Sequence, residues 1–495
     1  MKIILKNFGP IEFLEFDLNN DLHLIYGKNS IGKSYATYTI YCLLKNLKNK
    51  SISLRQIFYR GELEKSPFHI LATEAIKTIK KEKKNKEVNI TDGFISGVNK
   101  YLEDIFLDGM QNSLFNTFTS LSNLQNRYSN NPFTITIEIN DFQKIIISQD
   151  NSADKITLKY FHKNFELKVL EKKTISTKFS LKTIDKKVFG EPNETEFSAS
   201  FAQYSINYVN QSLSELDSDI RDIYYLPASR SGLYQALNAF TPIIAELTQN
   251  RFFIQNKTIE LPSLTEPLAD YFIDLSTLDK TFINEEFNPI IDYLQNDILK
   301  GKVNYNEKTK KITYAPNNLK LELNLSESSS MVAELSPLVL YFKHILNHKF
   351  ESTQSKDPFF YDEFYSTTGG LIRRSNRHKR GYDVIFIEEP EAHLHPEVQV
   401  KLMDLFSRLI GHKLKIFITS HSNYMFNKLN NIILKKEINV EKICTYHLVQ
   451  GINGTYQNKE MTVTDEGIQD DNFQDISVEL YKERMTILQN QDNAE

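Results

Sequence analysis

Tryptophan is absent from the 495-residue chain, and cysteine occurs only at Cys42 and Cys444. Two thiols cannot build a four-thiolate zinc site and are too few for a disulfide scaffold, so the usage fits a reducing cytosol. Glycine (17) and proline (14) are scarce, which excludes collagen-like and linker-dominated chains. The opening MKIILKNFGPIEFLEFDL carries Lys2 near its start but no continuous apolar core of signal-peptide length. No stretch reaches about 18 consecutive apolar residues, so no membrane span is expected and the chain reads as cytoplasmic. Neither sign of charge prevails: 59 basic residues face 63 acidic ones, a net charge of -4. That balance excludes a globally basic protein that coats nucleic acid, although it permits a local basic patch. What is present is 40% hydrophobic residues, enough for a large core. The length allows about two to four domains. The chain shows neither an internal repeat nor a long heptad arm.

The first 26 residues read as β-structure, with a turn at Gly9-Pro10 between two short apolar runs. Leu22 to Tyr26 (LHLIY) is an apolar strand that runs straight into Gly27. A helix is expected from about Lys33 to Leu47, where Ala36, Ile40, Leu43, Leu44 and Leu47 keep helical spacing. Residues 51–221 read as an inserted lobe. Its first part is helical and carries the lysine run Lys77 to Lys86. Its second part, FTITIEI, KIIISQ, KITLKYF, FELKVL and KFSLKTI, alternates as a β-meander does. IYYLPAS returns to a buried-strand pattern near Asp222, and residues 231–300 look mostly helical. KVNYNEKTKKITYA reads as a hairpin and LKLELNL as a further strand. A serine-rich turn leads into the apolar helix MVAELSPLVLYFKHIL, and a basic loop spans Arg373 to Gly381. Strand VIFIEE, helix VQVKLMDLFSRLI and strand KIFITSH follow.

Gly27-Lys28-Asn29-Ser30-Ile31-Gly32-Lys33-Ser34 fits G-x-x-x-x-G-K-[ST], between a strand and a helix as that motif requires. Glycines let the backbone curl so that successive N–H groups point at a phosphate chain. The helix that follows presents its positive end to the same anion. Lys33 supplies a point charge for the β- and γ-phosphates, and Ser34 can place its hydroxyl on Mg2+. In VIFIEEP four apolar residues make a buried parallel strand with two carboxylates at its carboxyl end, the edge where open α/β sheets bind ligands. Neighbouring strand residues point to opposite sides, so the two acids take different tasks. Glu388 is expected near the metal, and Glu389 is expected to polarise the attacking water as general base. Thr419-Ser420-His421 ends the next strand, where the polar triplet can reach a γ-phosphate and His421 can bond it or orient the water. Strand, acid pair, helix, strand and histidine succeed one another at about 30 residues, the spacing of βαβ units.

Ser328, Ser329 and Ser330 precede a helix, where hydroxyls and free N–H groups form an anion site or simply cap the helix. His393 and His395 have a spacing that suggests a metal pair, but side chains two apart on a helix diverge and no further ligand cluster accompanies them. A structural or dimer-contact role suits them better. Arg373, Arg374, Arg377, His378, Lys379 and Arg380, together with the lysines at 77, 80, 81, 83, 84 and 86, are phosphate-backbone contacts or solvated faces.

In this order the motifs resemble the ATP-binding-cassette ATPases of the SMC/Rad50 and OLD type. GKNSIGKS is similar to the Walker A segment, VIFIEEPEAHLHP to the Walker B with its loop, and TSHS to the switch-histidine segment. YYLPASRSGLY (224–234) and SSSMVAELSPLVLY (328–341) resemble segments of smaller AAA-type members in prokaryotic antiviral defence. Those include the ATPase subunits of Septu and PARIS systems and the ATPase half of OLD nucleases. The likeness covers the first 50 residues and most of 222–435, and is weak over 50–220. It implies an α/β fold, an ABC-ATPase head with a mixed sheet around a P-loop core and an inserted α+β lobe. The head would be split over 1–50 and 222–450, with 451–495 as a tail for partner contact. It also implies ATP and Mg2+ as cofactors, slow hydrolysis, and a head-to-head homodimer or higher even-numbered oligomer. In that arrangement Ser328, Ser329 and Ser330 of one chain complete the other chain's site. Glu388 stands where aspartate is usual, and no LSGGQ string is present. About 75 residues follow His421, too few for a fused nuclease domain. The expectation is therefore an ATPase that controls a separate effector, a nuclease, in anti-phage defence. The alternative is a DNA-repair or recombination ATPase that binds DNA directly through its basic loops. Either reading admits a contact with DNA or RNA.

Overall fold

The computed structural model describes residues 1–59, 65–81, 87–150, 155–170, 174–177, 194–217, 220–234, 264–307, 309–346, 381–458, 463–468 and 481–486. Lys2–Phe8 (β1) and Ile11–Asp17 (β2) form the expected hairpin, with Phe8 opposite Ile11 across the Gly9-Pro10 turn. Leu22–Gly27 (β3) is buried along its apolar length and leads through the Gly27–Ser34 loop into Lys33–Tyr59 (α1).

The segment expected as an inserted lobe contributes to two sheets. Pro67–Lys81 (α2), Glu87–Asn89 (β4), Thr91–Leu102 (α3) and Asp108–Phe118 (α4) come first. Thr134–Glu138 (β5), Gln143–Gln149 (β6) and Ile156–His162 (β7) are the expected meander, and β5 pairs antiparallel with β1. The meander therefore extends the sheet of the opening hairpin. Its alternating isoleucines, Ile135, Ile137, Ile145 and Ile147, are buried against the same core as Ile3 and Leu5. Leu167–Leu170 (β8) leaves that sheet and joins β4 and Thr174–Thr177 (β9) in a three-stranded one. Glu194–Asp217 (α5) then packs on α2.

After Ile220–Leu226 (β10) and Glu266–Ser276 (α6), Gly301–Asn306 (β11) and Lys311–Pro316 (β12) make the expected hairpin. The strand expected over LKLELNL shrinks to Leu323–Asn324 (β13). Leu319 and Leu321 find no core to enter and lie exposed, and the Asn324–Glu327 capping box turns the chain instead. The order then runs Ser330–Leu340 (α7), Tyr382–Glu388 (β14), Pro396–Arg408 (α8), Leu414–Ser420 (β15), Asn423–Leu434 (α9), Ile443–Gly451 (β16) and Gly454–Asn458 (β17). The basic loop from Arg373 to Arg380, the lysines at 83, 84 and 86, KFSLKTI and residues 235–263 of the expected helical stretch lie outside the described residues.

Among the described residues, the main sheet has 11 strands in the order β10-β14-β15-β3-β16-β17-β2-β1-β5-β6-β7. From β10 to β16 every neighbouring pair is parallel, and from β2 to β7 every pair is antiparallel. This is the mixed α/β architecture with a P-loop at its centre that the motifs led us to expect. Side chains alternate through the parallel half. Leu24, Tyr26, Ile385, Ile387, Ile416 and Ile418 enter a core shared with α7, α8 and α9. Ile25, Val384, Phe386 and Phe417 enter the other core, under α1. Strands covered on both faces read as continuous apolar runs for this reason. Each fully buried aliphatic or aromatic side chain stabilises the fold by about 1.5–3 kcal/mol. Among the described residues, no helix is long and apolar enough to cross a membrane.

Candidate active site

Parallel neighbours end at one edge, and β14, β15 and β3 are consecutive neighbours. Their registers pair Glu388 with Thr419 and Ser420 with Tyr26. The Gly27–Ser34 loop, whose Lys33 lies 388 residues from His421 in sequence, and Glu389, 32 residues from the same histidine, therefore meet at the carboxyl edge of the sheet.

The Gly27–Ser34 loop is shaped by its own residues. Gly27 has φ 151° and Gly32 φ 99°. A Cβ at Gly27 would lie 2.3 Å from Ile31 Cδ1, and one at Gly32 would lie 2.7 Å from Pro10 Cγ. Only glycine fits both demands. Ile31 is buried and anchors the loop, while Lys28, Asn29 and Ser30 are exposed at its rim. Lys33 folds back: its Nζ donates to the carbonyls of Gly27 (3.0 Å) and Lys28 (2.9 Å) and lies 3.3 Å from His421 Nδ1. Burial pulls its ammonium down to about 8, against the carboxylates of Glu389, Glu391 and Glu388. A polyanion arriving at this loop would restore the full charge.

Glu388 continues the face of Val384 and Phe386, under α1. Burial raises its pKa, while hydrogen bonds from Ser34, Tyr225 and the Ala228 N–H favour the carboxylate. Tyr225 in turn bonds Thr37 of α1 at 3.0 Å. Among the described residues, Glu388 Oε1 is buried with no hydrogen-bond partner. An orphaned carboxylate oxygen beside a serine hydroxyl is a hard oxygen donor set, which fits Mg2+. Ser34 and Glu388 are the residues that would hold it. No group of three or more His, Cys, Asp or Glu fit for a metal occurs among the described residues. His395 instead caps α8, its Nδ1 accepting from the Glu397 N–H at 3.3 Å.

Glu389 lies just beyond the strand at φ 41°, a strained conformation for a side-chain-bearing residue. Its Oε1 is 3.2 Å from His421 Nε2. That hydrogen bond is the main cause that lowers the Glu389 pKa, with further help from the charges of His421, Lys33 and Arg230. Lys33, His421 and Glu389 thus form one hydrogen-bonded line across the mouth of the loop.

The structure revises the polar triplet. Only His421 faces the site. Thr419 and Ser420 are 2% and 0% exposed. Thr419 takes the Glu389 N–H on its carbonyl, at 3.0 Å. Ser420 Oγ donates to Glu391 Oε1 at 2.8 Å, and the same oxygen receives the His421 N–H at 2.6 Å. They hold the site together from beneath. Ser328 and Ser329 make local bonds. Ser328 Oγ donates to the Leu325 carbonyl, and Ser329 caps α7 by accepting from Val332 N–H. The described hydrogen bonds of these serines are local and do not reach the Gly27–Ser34 loop.

Sequence reasoning gave no role to Arg230, Glu334 or Glu391. Glu391 fixes the backbone of His421. Arg230 and Glu334 are buried together, at 1% and 0% exposure. YYLPASRSGLY contains Arg230, but nothing local marks its partner on α7.

A family model described as AAA ATPase domain matches residues 1–426. No curated protein matches the chain. Among solved structures, an SMC head domain from Thermotoga maritima is 11% identical with a TM-score of 0.30, over 92% of this chain and 97% of that one. An Smc head domain with an extended coiled coil, bound to the C-terminal domain of ScpA derived from Pyrococcus furiosus, is 10% identical with a TM-score of 0.33, over 99% and 98%. These scores mark a loose likeness. The match over residues 1–426, with the loop, acids and histidine assembled at one sheet edge, makes the chain a member of the AAA ATPase domain family.

Proposed function

We propose that the chain binds ATP with Mg2+ at the Gly27–Ser34 loop and hydrolyses it in a site completed by a second copy. The observation that carries this reading is the line of Lys33, His421 and Glu389 along the carboxyl edge of three neighbouring parallel strands. Loop N–H groups and Lys33 hold the β- and γ-phosphates. Glu389, kept ionised by His421, takes a proton from the attacking water. The water oxygen bonds the γ-phosphorus, the bond to the bridging oxygen breaks, and ADP and inorganic phosphate leave. Ser34 and Glu388 would hold Mg2+, which would supply charge neutralisation for the triphosphate. Ser328, Ser329 and Ser330 of the partner copy present their helix start to the same phosphates, which suits serines whose own described bonds are local.

Glu389→Gln tests the chemistry and the assembly together. It should bind ATP, hydrolyse it about 10²–10⁴-fold more slowly, and shift from monomer to dimer by light scattering when ATP is added. Wild-type turnover would remove Glu389 as base, and a monomer at saturating ATP would remove the shared site.

The finer reading is an ATPase that governs a separate nuclease in anti-phage defence, with the tail 451–495 as a surface for partner contact. It rests on the likeness of 224–234 and 328–341 to defence ATPases. Purifying the native complex tests it. A nuclease should co-purify in fixed ratio, whereas nucleic-acid cleavage by this chain alone would sink the idea.

A further inference from the structure

We infer that Arg230 is a positioning residue for Glu389, and that it ties the serine-capped helix α7 to the turn that carries the base. The inference rests on the reading of Glu389 as general base given above.

The two charges are welded to both elements. Glu334 lies one turn into α7, four residues after Ser330. Its carboxylate receives the Arg230 N–H at 3.1 Å, the Ser231 N–H at 3.2 Å and the Ser231 hydroxyl at 2.5 Å. It thereby closes the start of the helical turn that follows β10. The Arg230 guanidinium pairs with the same carboxylate, Nε lying 3.4 Å from Glu334 Oε2, and spends its donors on carbonyls. Nε donates to the Glu334 carbonyl at 3.0 Å, and Nη1 to the carbonyls of Pro227 (3.0 Å) and Glu388 (2.9 Å). Nη2 reaches the Glu389 carbonyl at 3.5 Å, a long contact. Only arginine offers donors in so rigid a fork.

The target of that fork is the strained residue. Glu389 keeps φ 41°. A strained backbone persists only where its surroundings over-determine it. Here Thr419 grips the Glu389 N–H from β15, and Arg230 grips the carbonyls on either side of that residue's N–Cα axis, those of Glu388 and Glu389. Removing the fork frees the peptide that aims the carboxylate. A displacement of about 1 Å at a reacting group is enough to cost about 10²-fold in rate. Because the same guanidinium is fixed to α7, any shift of the serine end on meeting a second copy bears on the Glu389 turn.

Arg230→Lys keeps the charge that balances Glu334 but loses the fork. We expect kcat for ATP to fall about 10²-fold, with the Kd for ATP and the Tm near wild type. In a Glu389→Gln background the same change should lower the rate no further, since residues that act as a unit are non-additive. Arg230→Gln with Glu334→Gln removes both charges together, leaves no buried charge unpaired, and keeps an acceptor for the Arg230 and Ser231 N–H groups and a donor for the carbonyls. It is the second test should the lysine variant not fold, and it should show the same loss in kcat with ATP still bound. Wild-type kcat in either folded variant overturns the inference. So does loss of ATP binding in step with kcat, which would mark a merely structural weld. Full activity in Glu389→Gln would instead refute the base assignment and leave a different signature, because the Arg230 variant would then be compared with an unimpaired parent.

Discussion

His23 is wholly buried, stacked on the Phe417 ring at 4.1 Å between centroids. Its Nε2 donates to the Asn20 carbonyl at 3.1 Å, which leaves Nδ1 to accept from the Tyr446 hydroxyl at 3.1 Å. Burial, and then the nearby Lys415 ammonium, push its pKa down to about 3. The folded pKa lies below the unfolded one, so the unfolded chain takes up the proton first. The contribution of His23 to stability is complete above about pH 6.5 and is lost as pH falls toward about 3. The slope is at most about 1.4 kcal/mol per pH unit. Denaturant melts of wild type and His23→Gln should differ in that window: the variant starts lower near neutrality and declines less steeply in acid. Parallel pH curves would show that His23 titrates normally. At the active site the same physics works with other partners, since Glu388 and Glu389 are adjacent in sequence yet burial raises one and a hydrogen bond lowers the other.

In helix α7 the capping serine and the serine proposed to meet the partner's nucleotide are separate residues. Ser329 is its cap, accepting from the Val332 N–H at 3.4 Å. Ser329→Ala should therefore lower stability by about 1 kcal/mol, read as a lower Tm. Ser330 is exposed at the first helical position and supplies no cap. Ser330→Ala should leave Tm unchanged, and any effect should appear in ATP turnover and dimer formation. An equal loss of Tm in both variants would mean that capping is shared. The strand β14 behaves in the same divided way. Its apolar stretch is legible from sequence as a buried strand, and its alternation assigns Glu388 to the α1 side. The strain at Glu389, by contrast, depends on Thr419 and Arg230, neither of which adjoins it in the chain.

Across the whole molecule, the edge proposed to bind nucleotide belongs to the parallel half of the sheet, and the meander β5–β7 lies at the far end of the strand order. Hydrogen exchange with ATP should therefore slow amides in three separate segments, Gly27–Ala36, Glu388–Glu391 and Thr419–Ser422, because ligand contact suppresses local opening. Amides of β5–β7 should be unchanged. Uniform protection across both halves would indicate global stabilisation by mass action instead.

The sequence alone determined the pieces whose physics is local. The glycines of the Gly27–Ser34 loop, the apolar runs of β3, β14 and β15, and the acids and histidine at their ends all announce themselves within a few residues. Tertiary structure decided the rest. It turned Thr419 and Ser420 into internal supports, reduced LKLELNL to two residues of strand, and carried β5–β7 into the main sheet. It also joined Arg230 to Glu334 and Glu388 across separations of 104 and 158 residues. A contact of that span leaves no periodicity and no neighbouring signal in the chain. It exists because packing two helices and a strand edge together buries a guanidinium that then requires acceptors, and the fold supplies them.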